Sequence, residues 1–184
     1  MEDISMKGCF KLVAGAATFG LLTLTAALAQ DQGTANRMTT SDNTFATKAA
    51  QGGMAEVQLG NLAKDHASSP DVKQFGQKMV DDHTKANDEL KSIAARKNIT
   101  LPTSVDAKDQ ATYDRLSKLN GAAFDKAYMR DMVSDHRTDV NEFRKEANSG
   151  SDADLKAFAS KTLPTLEEHL RMAESTESKV KGEK

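Results

Sequence analysis

The stretch from Asp71 to Ala94 places its apolar residues at the spacing of one helix face. Steps of alternately four and three residues pass through Val72, Gly76, Met79, His83, Ala86, Leu90 and Ile93. Most of the residues between them are polar or charged, as on the solvent side of a bundle helix. The pattern therefore predicts that His83 points into a core, where a histidine needs a hydrogen-bond partner or a ligand.

Four long helices are predicted by this spacing. They cover about 42–66, 70–97 and 122–148 and a segment that starts near Ser151, and a shorter helix covers 106–119. The Ser-Ser-Pro-Asp turn before the second helix and the Ser-Gly-Ser break before the fourth separate antiparallel neighbours. Ser151 and Asp154 have the spacing of a capping box. The predicted fold is all-α: an antiparallel four-helix bundle with one extra short helix between helices 2 and 3.

Each long helix carries one polar side chain in its inward stripe: Glu56, His83, His136 and His169. Counted from the turn at Ser69, Glu56 and His83 lie at nearly the same height. Counted from the break after Ser149, His136 and His169 differ in height by roughly 7 Å in straight helices. Pro164 lies five residues before His169 and predicts a bend that could reduce this difference.

The first 29 residues have the features of a secretory signal peptide. Lys7 and Lys11 precede the apolar run 12–28, and Ala27-Leu28-Ala29 is a small-residue cleavage motif. An uncleaved membrane anchor fits less well, because the run is of marginal length and contains threonines. The sequence thus predicts export, with cleavage after Ala29, to the periplasm or outer envelope.

The predicted organisation after cleavage is a single domain. Residues 30–41 are a polar leash predicted to be disordered, the bundle covers 42–178, and 179–184 form a charged tail that is also predicted to be disordered. Translation from Met1 or from Met6 is compatible with this organisation.

The composition excludes several classes of function. The single cysteine, Cys9, leaves with the signal peptide, so the mature chain has no disulfide and no thiol chemistry. The 25 basic and 27 acidic residues are interspersed, which does not indicate a nucleic-acid-binding surface. The sequence also lacks a Ser-His-Asp order, a glycine-rich phosphate loop and a pair of catalytic carboxylates. A binding protein is therefore favoured over an enzyme.

Four stretches of the chain together resemble a known family. They are Glu56, Met-Val-Asp-Asp-His at 79–83, Phe-Asp-Lys-Ala-Tyr at 124–128 and Leu-Pro-Thr-Leu-Glu-Glu-His-Leu at 163–170. Over about 42–178 the chain resembles the domain-of-unknown-function family numbered 4142, exported bacterial proteins often labelled outer-membrane proteins and regarded as ferritin-like bundles. The resemblance implies a helical bundle and an envelope location, but no activity.

A ferritin-like fold raises the question of a di-iron site, which requires two Glu-x-x-His pairs. The residues three positions before His83, His136 and His169 are Val80, Val133 and Leu166, so this requirement fails. The remaining candidate is a single transition metal ion held by Glu56 and the three histidines. Imidazole with a carboxylate suits zinc, copper or iron, and Met79 and Met132, each one turn before a histidine, favour copper.

The alternative is that these histidines are core polar residues that hydrogen-bond to Glu56, Tyr128, Thr162 or buried water. Three other polar residues are interpreted as structural. His66 lies in the last turn of its helix, where a histidine complements the negative helix end. Asp125 and Tyr128 lie within one turn of each other and are predicted to fix helix packing.

Two functional hypotheses remain open. The first is a non-catalytic periplasmic or envelope protein that binds an envelope partner or an ion under stress, with no nucleic acid and no transmembrane segment in the mature chain. The second is a metal-binding protein or metal-dependent enzyme that uses Glu56, His83, His136 and His169.

Overall fold

The computed structural model describes residues 38–182, and every regular element in this part of the chain is an α-helix. The helices are α1 (Thr40–His66), α2 (Pro70–Lys97), α3 (Ala107–Leu116), α4 (Gly121–Ser149) and α5 (Ala153–Gly182). The predicted all-α bundle with one extra short helix is confirmed. The predicted signal peptide and residues 30–37 of the leash lie outside the described residues.

The bundle consists of two helical hairpins packed together. Helix α1 packs along α2 and α4 packs along α5, while α2 contacts α5 and α1 contacts α4. Short connections force the members of each hairpin to be antiparallel neighbours. Helix α3 lies against α1 and α4 and therefore covers the edge between the two hairpins on that side.

Two glycines set the distance between α1 and α2. A Cβ added at Gly60 would lie 2.6 Å from the carbonyl oxygen of Gly76, and one added at Gly76 would lie 2.8 Å from the carbonyl oxygen of Gly60. A side chain at either position would push the helices apart. The glycines therefore permit a backbone approach that a larger residue would prevent.

The core is divided into two apolar clusters, one towards each end of the bundle. The first contains Leu59, Met79, Val133 and Ala173, and the second contains Ala50, Leu90, Val140 and Leu166. On every long helix the inward polar residue falls between the two clusters. Glu56, His83, His136 and His169 thus form a polar layer near the middle of the bundle, and none of them is more than 7% exposed.

The helix ends depend on buried carboxylates. Thr39 and Asp42 form a capping box at the start of α1, two residues before the predicted start. Helix α5 is capped by Asp152, whose carboxylate accepts from the backbone N–H groups of Asp154 and Leu155 at 3.0 and 3.1 Å. The predicted capping box of Ser151 and Asp154 is therefore wrong by one residue, and the three-residue turn between α4 and α5 lies one residue later than the sequence pattern indicated.

Helix α5 continues four residues past the predicted end of the bundle at Ser178. Val180, 2% exposed, packs into the first apolar cluster and holds the last turn on the core. Within the described residues, no helix combines the length and apolarity needed to cross a membrane.

Candidate functional site

Three of the four predicted site residues, all histidines, cluster together within the polar layer. His83 of α2, His136 of α4 and His169 of α5 each offer one ring nitrogen within 4.8 Å of the others. Their ring centroids are 5.4 to 5.9 Å apart. At these distances the three nitrogens can surround one small ion, since metal–imidazole bonds are about 2 Å long.

The second ring nitrogen of two of these histidines is held by a hydrogen bond. The Nδ1–H of His136 donates to the carbonyl oxygen of Met132 at 3.0 Å, and the Nε2–H of His169 donates to a carboxylate oxygen of Asp82 at 3.0 Å. These partners fix the tautomers, so Nε2 of His136 and Nδ1 of His169 keep their lone pairs. Both lone pairs lack a hydrogen-bond partner, as does Nε2 of His83.

All three imidazoles are held in the neutral form that binds metals. Burial, followed by the proximity of the other two imidazoles, holds the pKa of His83 well below its usual range. Burial lowers the pKa of His136 to about 3. Burial also lowers the pKa of His169, although the Asp82 carboxylate opposes this shift. At neutral pH no proton therefore has to leave before a cation binds.

Glu56, the fourth predicted residue, belongs to a different group. Its Oε1 lies 3.7 Å from Nδ1 of His136, but that nitrogen already donates to Met132. Glu56 instead shares a cluster with Asp135 and Asp139, in which each residue offers an oxygen within 4.8 Å of the others. The polar layer thus contains a group of nitrogen ligands and a group of oxygen ligands side by side.

The structure corrects two geometric expectations. The 7 Å offset between His136 and His169 was counted from Ser151, but α5 begins at Ala153. His136 lies thirteen residues before the end of α4 and His169 sixteen after the start of α5, an offset of about 4.5 Å that the side chains span. The nearly equal heights of Glu56 and His83 also suggested a contact between these two residues, whereas the histidine next to Glu56 is His136.

Sequence reasoning missed Asp82, Asp135 and Asp139. Each lies outside the apolar stripe of its helix, so the stripe gave no reason to include it in the site. Asp82 immediately precedes His83, and Asp135 and Asp139 are one turn apart on α4. The one available signal was this i, i+4 pair beside His136, which places two carboxylates on one helix edge.

The three residues interpreted as structural make capping, hydrogen-bonding or packing contacts between elements. Asp125 accepts from the backbone N–H groups of Ser68 and Ser69 at 3.2 and 2.9 Å and so caps α2, whose N-cap residue Ser69 makes no capping hydrogen bond with its own side chain. His66 Nδ1 lies 2.7 Å from the carbonyl oxygen of Leu119 and is remote from the histidine cluster. Tyr128 stacks on Phe124 within the first apolar cluster.

The crevice beside His83 is too small for an organic substrate. The crevice that His83 lines has a volume of about 20 Å³, which is enough for about one water molecule. The arrangement can hold an ion with a small ligand. It does not fit a di-iron centre, because the three histidines lack the Glu-x-x-His spacing and the nitrogen group contains no carboxylate.

Comparison with known proteins gives a family and a fold. The family model described as "Domain of unknown function (DUF4142)" matches residues 27–176. No curated protein matches the sequence.

The fold is similar to that of two solved structures. A DUF305 fragment from Deinococcus radiodurans has a TM-score of 0.68 at 12% identity, over 77% of this chain and 98% of that chain. A DUF305 protein from Streptomyces coelicolor, to which secretion has been attributed, has a TM-score of 0.65 at 15% identity, over 76% of this chain and 92% of that chain. At such identities the similarity establishes the fold alone. The match over residues 27–176 establishes the family resemblance that the sequence predicted, and the chain belongs to the DUF4142 family.

Proposed function

We propose that this protein is an exported, non-catalytic metal-binding bundle that holds one transition metal ion on His83, His136 and His169. The observation that carries the proposal is that the three histidines bring ring nitrogens within 4.8 Å of one another and that each ring has one buried nitrogen without a hydrogen-bond partner. Buried polar groups are nearly always satisfied, so three unpartnered ring nitrogens within one cluster call for a shared ligand. A metal ion would satisfy all three at once.

The groups around the histidines support the same conclusion. Histidines that bind metals usually donate their second N–H to a carboxylate or a backbone carbonyl, which orients the ring and makes it more basic. Asp82 accepts such a hydrogen bond from His169, and the backbone carbonyl of Met132 accepts one from His136. A purely structural core histidine would also need a partner for its N–H, so the distinguishing feature is the other ring nitrogen, which has no partner in either residue.

The ligand set favours zinc or copper. Three neutral imidazoles with room for one small ligand suit zinc, and imidazole also suits copper. A di-iron centre does not fit these ligands, because the histidines lack the Glu-x-x-His spacing. The small volume beside His83 and the burial of all three rings favour storage, transfer or sensing of the ion over catalysis on a substrate.

Export is the second part of the proposal. Its support is the leader pattern of residues 1–29 and the secretion attributed to the fold neighbour from Streptomyces coelicolor. N-terminal sequencing of the protein recovered outside the cytoplasm should find Gln30 as the first residue. Recovery of only the full-length chain would contradict this part of the proposal and leave the metal site untouched.

The test of the metal site is calorimetric titration of chelator-treated, tag-free protein with zinc and with copper(II). We expect one equivalent to bind, and His83→Leu and His136→Leu to abolish binding while circular dichroism shows an intact helical fold. The matched control is His66→Gln, which changes a histidine outside the cluster and should bind normally. Absence of binding by both metals, or equal binding by the His136→Leu protein, would refute the proposal.

A further inference from the structure

A second group of metal-ligand side chains lies beside the histidine cluster and plays no part in the proposed function. Glu56 of α1 and Asp135 and Asp139 of α4 converge so that one oxygen from each lies within 4.8 Å of the others. Asp135 and Asp139 are one helical turn apart, so both project towards α1. Glu56 meets them from the facing helix.

The Glu56 carboxylate sets this group apart from an ordinary acidic surface patch. It is completely buried, and with the three carboxyl groups ionised neither of its oxygens has a hydrogen-bond donor. An ionised carboxylate in that position costs several kcal/mol unless a cation or donor compensates it. Glu56 therefore provides an unsatisfied, buried oxygen ligand that faces two further carboxylates.

The positive charges near the group do not neutralise it. Lys108 Nζ lies 3.8 Å from Asp135, but the lysine side chain is 78% exposed and screened by water. Nδ1 of His136 lies 3.7 Å from Glu56, but His136 is held neutral. Lys48, at the rim, pairs with Glu142.

The group is open to solvent on one side. Asp135 and Asp139 line a cleft of about 120 Å³ between α1, α4 and the first turn of α3. Its other titratable residues are Lys48, Asp106, Lys108, Asp109 and Glu142. Carboxylates outnumber lysines, so the cleft attracts cations, and its volume leaves room for the water molecules that complete the shell of a hard ion.

We propose that Glu56, Asp135 and Asp139 bind a hard divalent cation of the Mg²⁺, Mn²⁺ or Ca²⁺ class, with Asp106 and Asp109 guiding it from the cleft. Carboxylate oxygens with waters are the ligands that these ions prefer, whereas the imidazole group beside them suits zinc or copper. The bundle would then hold two ions of different chemical class in one polar layer.

In the absence of a cation the same carboxylates retain protons. Burial and the neighbouring charges of Asp135 and Asp139 raise the pKa of Glu56 well above its usual range. Burial also raises the pKa of Asp135 and, more strongly, that of Asp139. A divalent cation would displace these protons and supply the compensating charge.

The test uses Mn²⁺ as the probe, because bound and free Mn²⁺ are distinguished by electron paramagnetic resonance. We expect chelator-treated full-length mature protein to bind one Mn²⁺ at neutral pH, in competition with Mg²⁺ or Ca²⁺. Asp139→Asn should weaken binding by about tenfold or more, because a charged ligand is lost. Asp131→Asn, one turn before Asp135 on the same helix and paired with Arg115, is the matched control and should bind Mn²⁺ normally.

Two further variants separate this proposal from the histidine site. His83→Leu should retain Mn²⁺ binding, and Asp139→Asn should retain zinc or copper binding. Circular dichroism and unfolding curves must show that each variant is folded. No binding of Mn²⁺, Mg²⁺ or Ca²⁺ at millimolar concentration, or equal Mn²⁺ affinity of the folded Asp139→Asn protein, would overturn the proposal and show that the carboxylates hold protons only.

Discussion

The aspartates that cap the helix ends and the polar groups in the middle of this bundle differ in how their burial is compensated. At the ends, Asp42, Asp125 and Asp152 are each at most 1% exposed, and each accepts hydrogen bonds from backbone N–H groups of a neighbouring turn. In the middle, Glu56 is just as buried and accepts none, and three imidazole nitrogens are equally unpartnered.

This difference distinguishes buried polar groups that stabilise the fold from buried polar groups that are available to bind an ion. A buried carboxylate is compatible with folding when hydrogen bonds replace its hydration, as they do at the helix ends. The middle layer lacks such compensation within the described chain. It follows that the ends should behave as parts of the fold, sensitive to mutation under every condition, whereas the middle should respond to metal ions.

The largest expected effect is at Asp125. Its carboxylate accepts from two backbone N–H groups and from the hydroxyl of Ser68, and so joins the start of α2 to α4. Asp125→Ala should lower the free energy of unfolding by roughly 3 kcal/mol, because bonds to a charged acceptor are lost and backbone donors are left without a partner. Urea unfolding of the metal-free protein measures this.

The matched control for this change is Asp71→Ala. Asp71 lies in the same first turn of α2 but pairs only with Lys179, and both side chains are about half exposed. Its loss should lower the free energy of unfolding by no more than about 1 kcal/mol. Equal effects at the two positions would mean that the buried cap contributes no more than a surface ion pair.

A second prediction concerns the pH response at one end of the bundle. Burial, followed by the charge of Asp42, raises the pKa of Glu146 to about 7 from 4.5. A carboxyl whose pKa is raised by folding stabilises the fold below its unfolded pKa and loses this contribution as pH rises through the folded pKa. Between about pH 4.5 and 8 the wild type should therefore lose about 3 kcal/mol more than Glu146→Gln, which does not titrate.

Urea unfolding at several pH values in this range, without metal, measures the difference between the two curves. Asp42, at the same end of the bundle, contributes to stability with the opposite pH dependence. Burial raises the pKa of Asp42, but the hydrogen bonds from Thr39 and Ser151 outweigh it and lower the pKa to about 2. This contribution is present above about pH 4 and is lost as pH falls through about 2. Parallel curves for wild type and Glu146→Gln above pH 4.5 would contradict the assignment of Glu146.

The two regions also differ in how well the sequence predicted them. The inward stripes correctly placed Glu56, His83, His136 and His169 in one layer, since the period of a helix fixes which face a residue occupies. The stripes do not give the rotation of one helix against another. For this reason the grouping of Glu56 with Asp135 and Asp139, rather than with the histidines, could not be predicted.

The turns show the same limit on a smaller scale. Moving the start of α5 from Ser151 to Ala153 changed the relative height of His136 and His169 by about 3 Å. Asp125 was interpreted as a packing residue, but its role as the cap of α2 depends on a contact across more than fifty residues of sequence. Local patterns contain no information about such contacts.

The third prediction tests whether Asp82 positions His169 for a metal. Asp82→Asn removes the charge opposite the Nε2–H of His169 and should weaken zinc or copper binding by about tenfold or more, or at least 1.4 kcal/mol. Asp81→Asn is the control, because Asp81 is exposed and accepts only from Gln77. The metal affinities of the two proteins, measured by titration, should differ, whereas their free energies of unfolding without metal should not. Equal affinities would assign Asp82 to the surface ion pair with Lys78 alone.

The smallest expected effect is Glu56→Gln, and its sign depends on the ion. In metal-free protein above neutral pH, folding of the wild type must either protonate Glu56 or bury an ionised carboxylate without a donor, so the neutral amide should stabilise the fold by about 1 kcal/mol. With saturating Mn²⁺ the order should reverse, because only the wild type keeps all three charged ligands and gains the binding free energy. Glu174→Gln, an exposed position paired with Arg137, should show neither effect. Unfolding curves with and without Mn²⁺ measure both differences. A Glu56→Gln protein that is destabilised to the same extent in both conditions would place Glu56 with the satisfied carboxylates at the ends of the bundle.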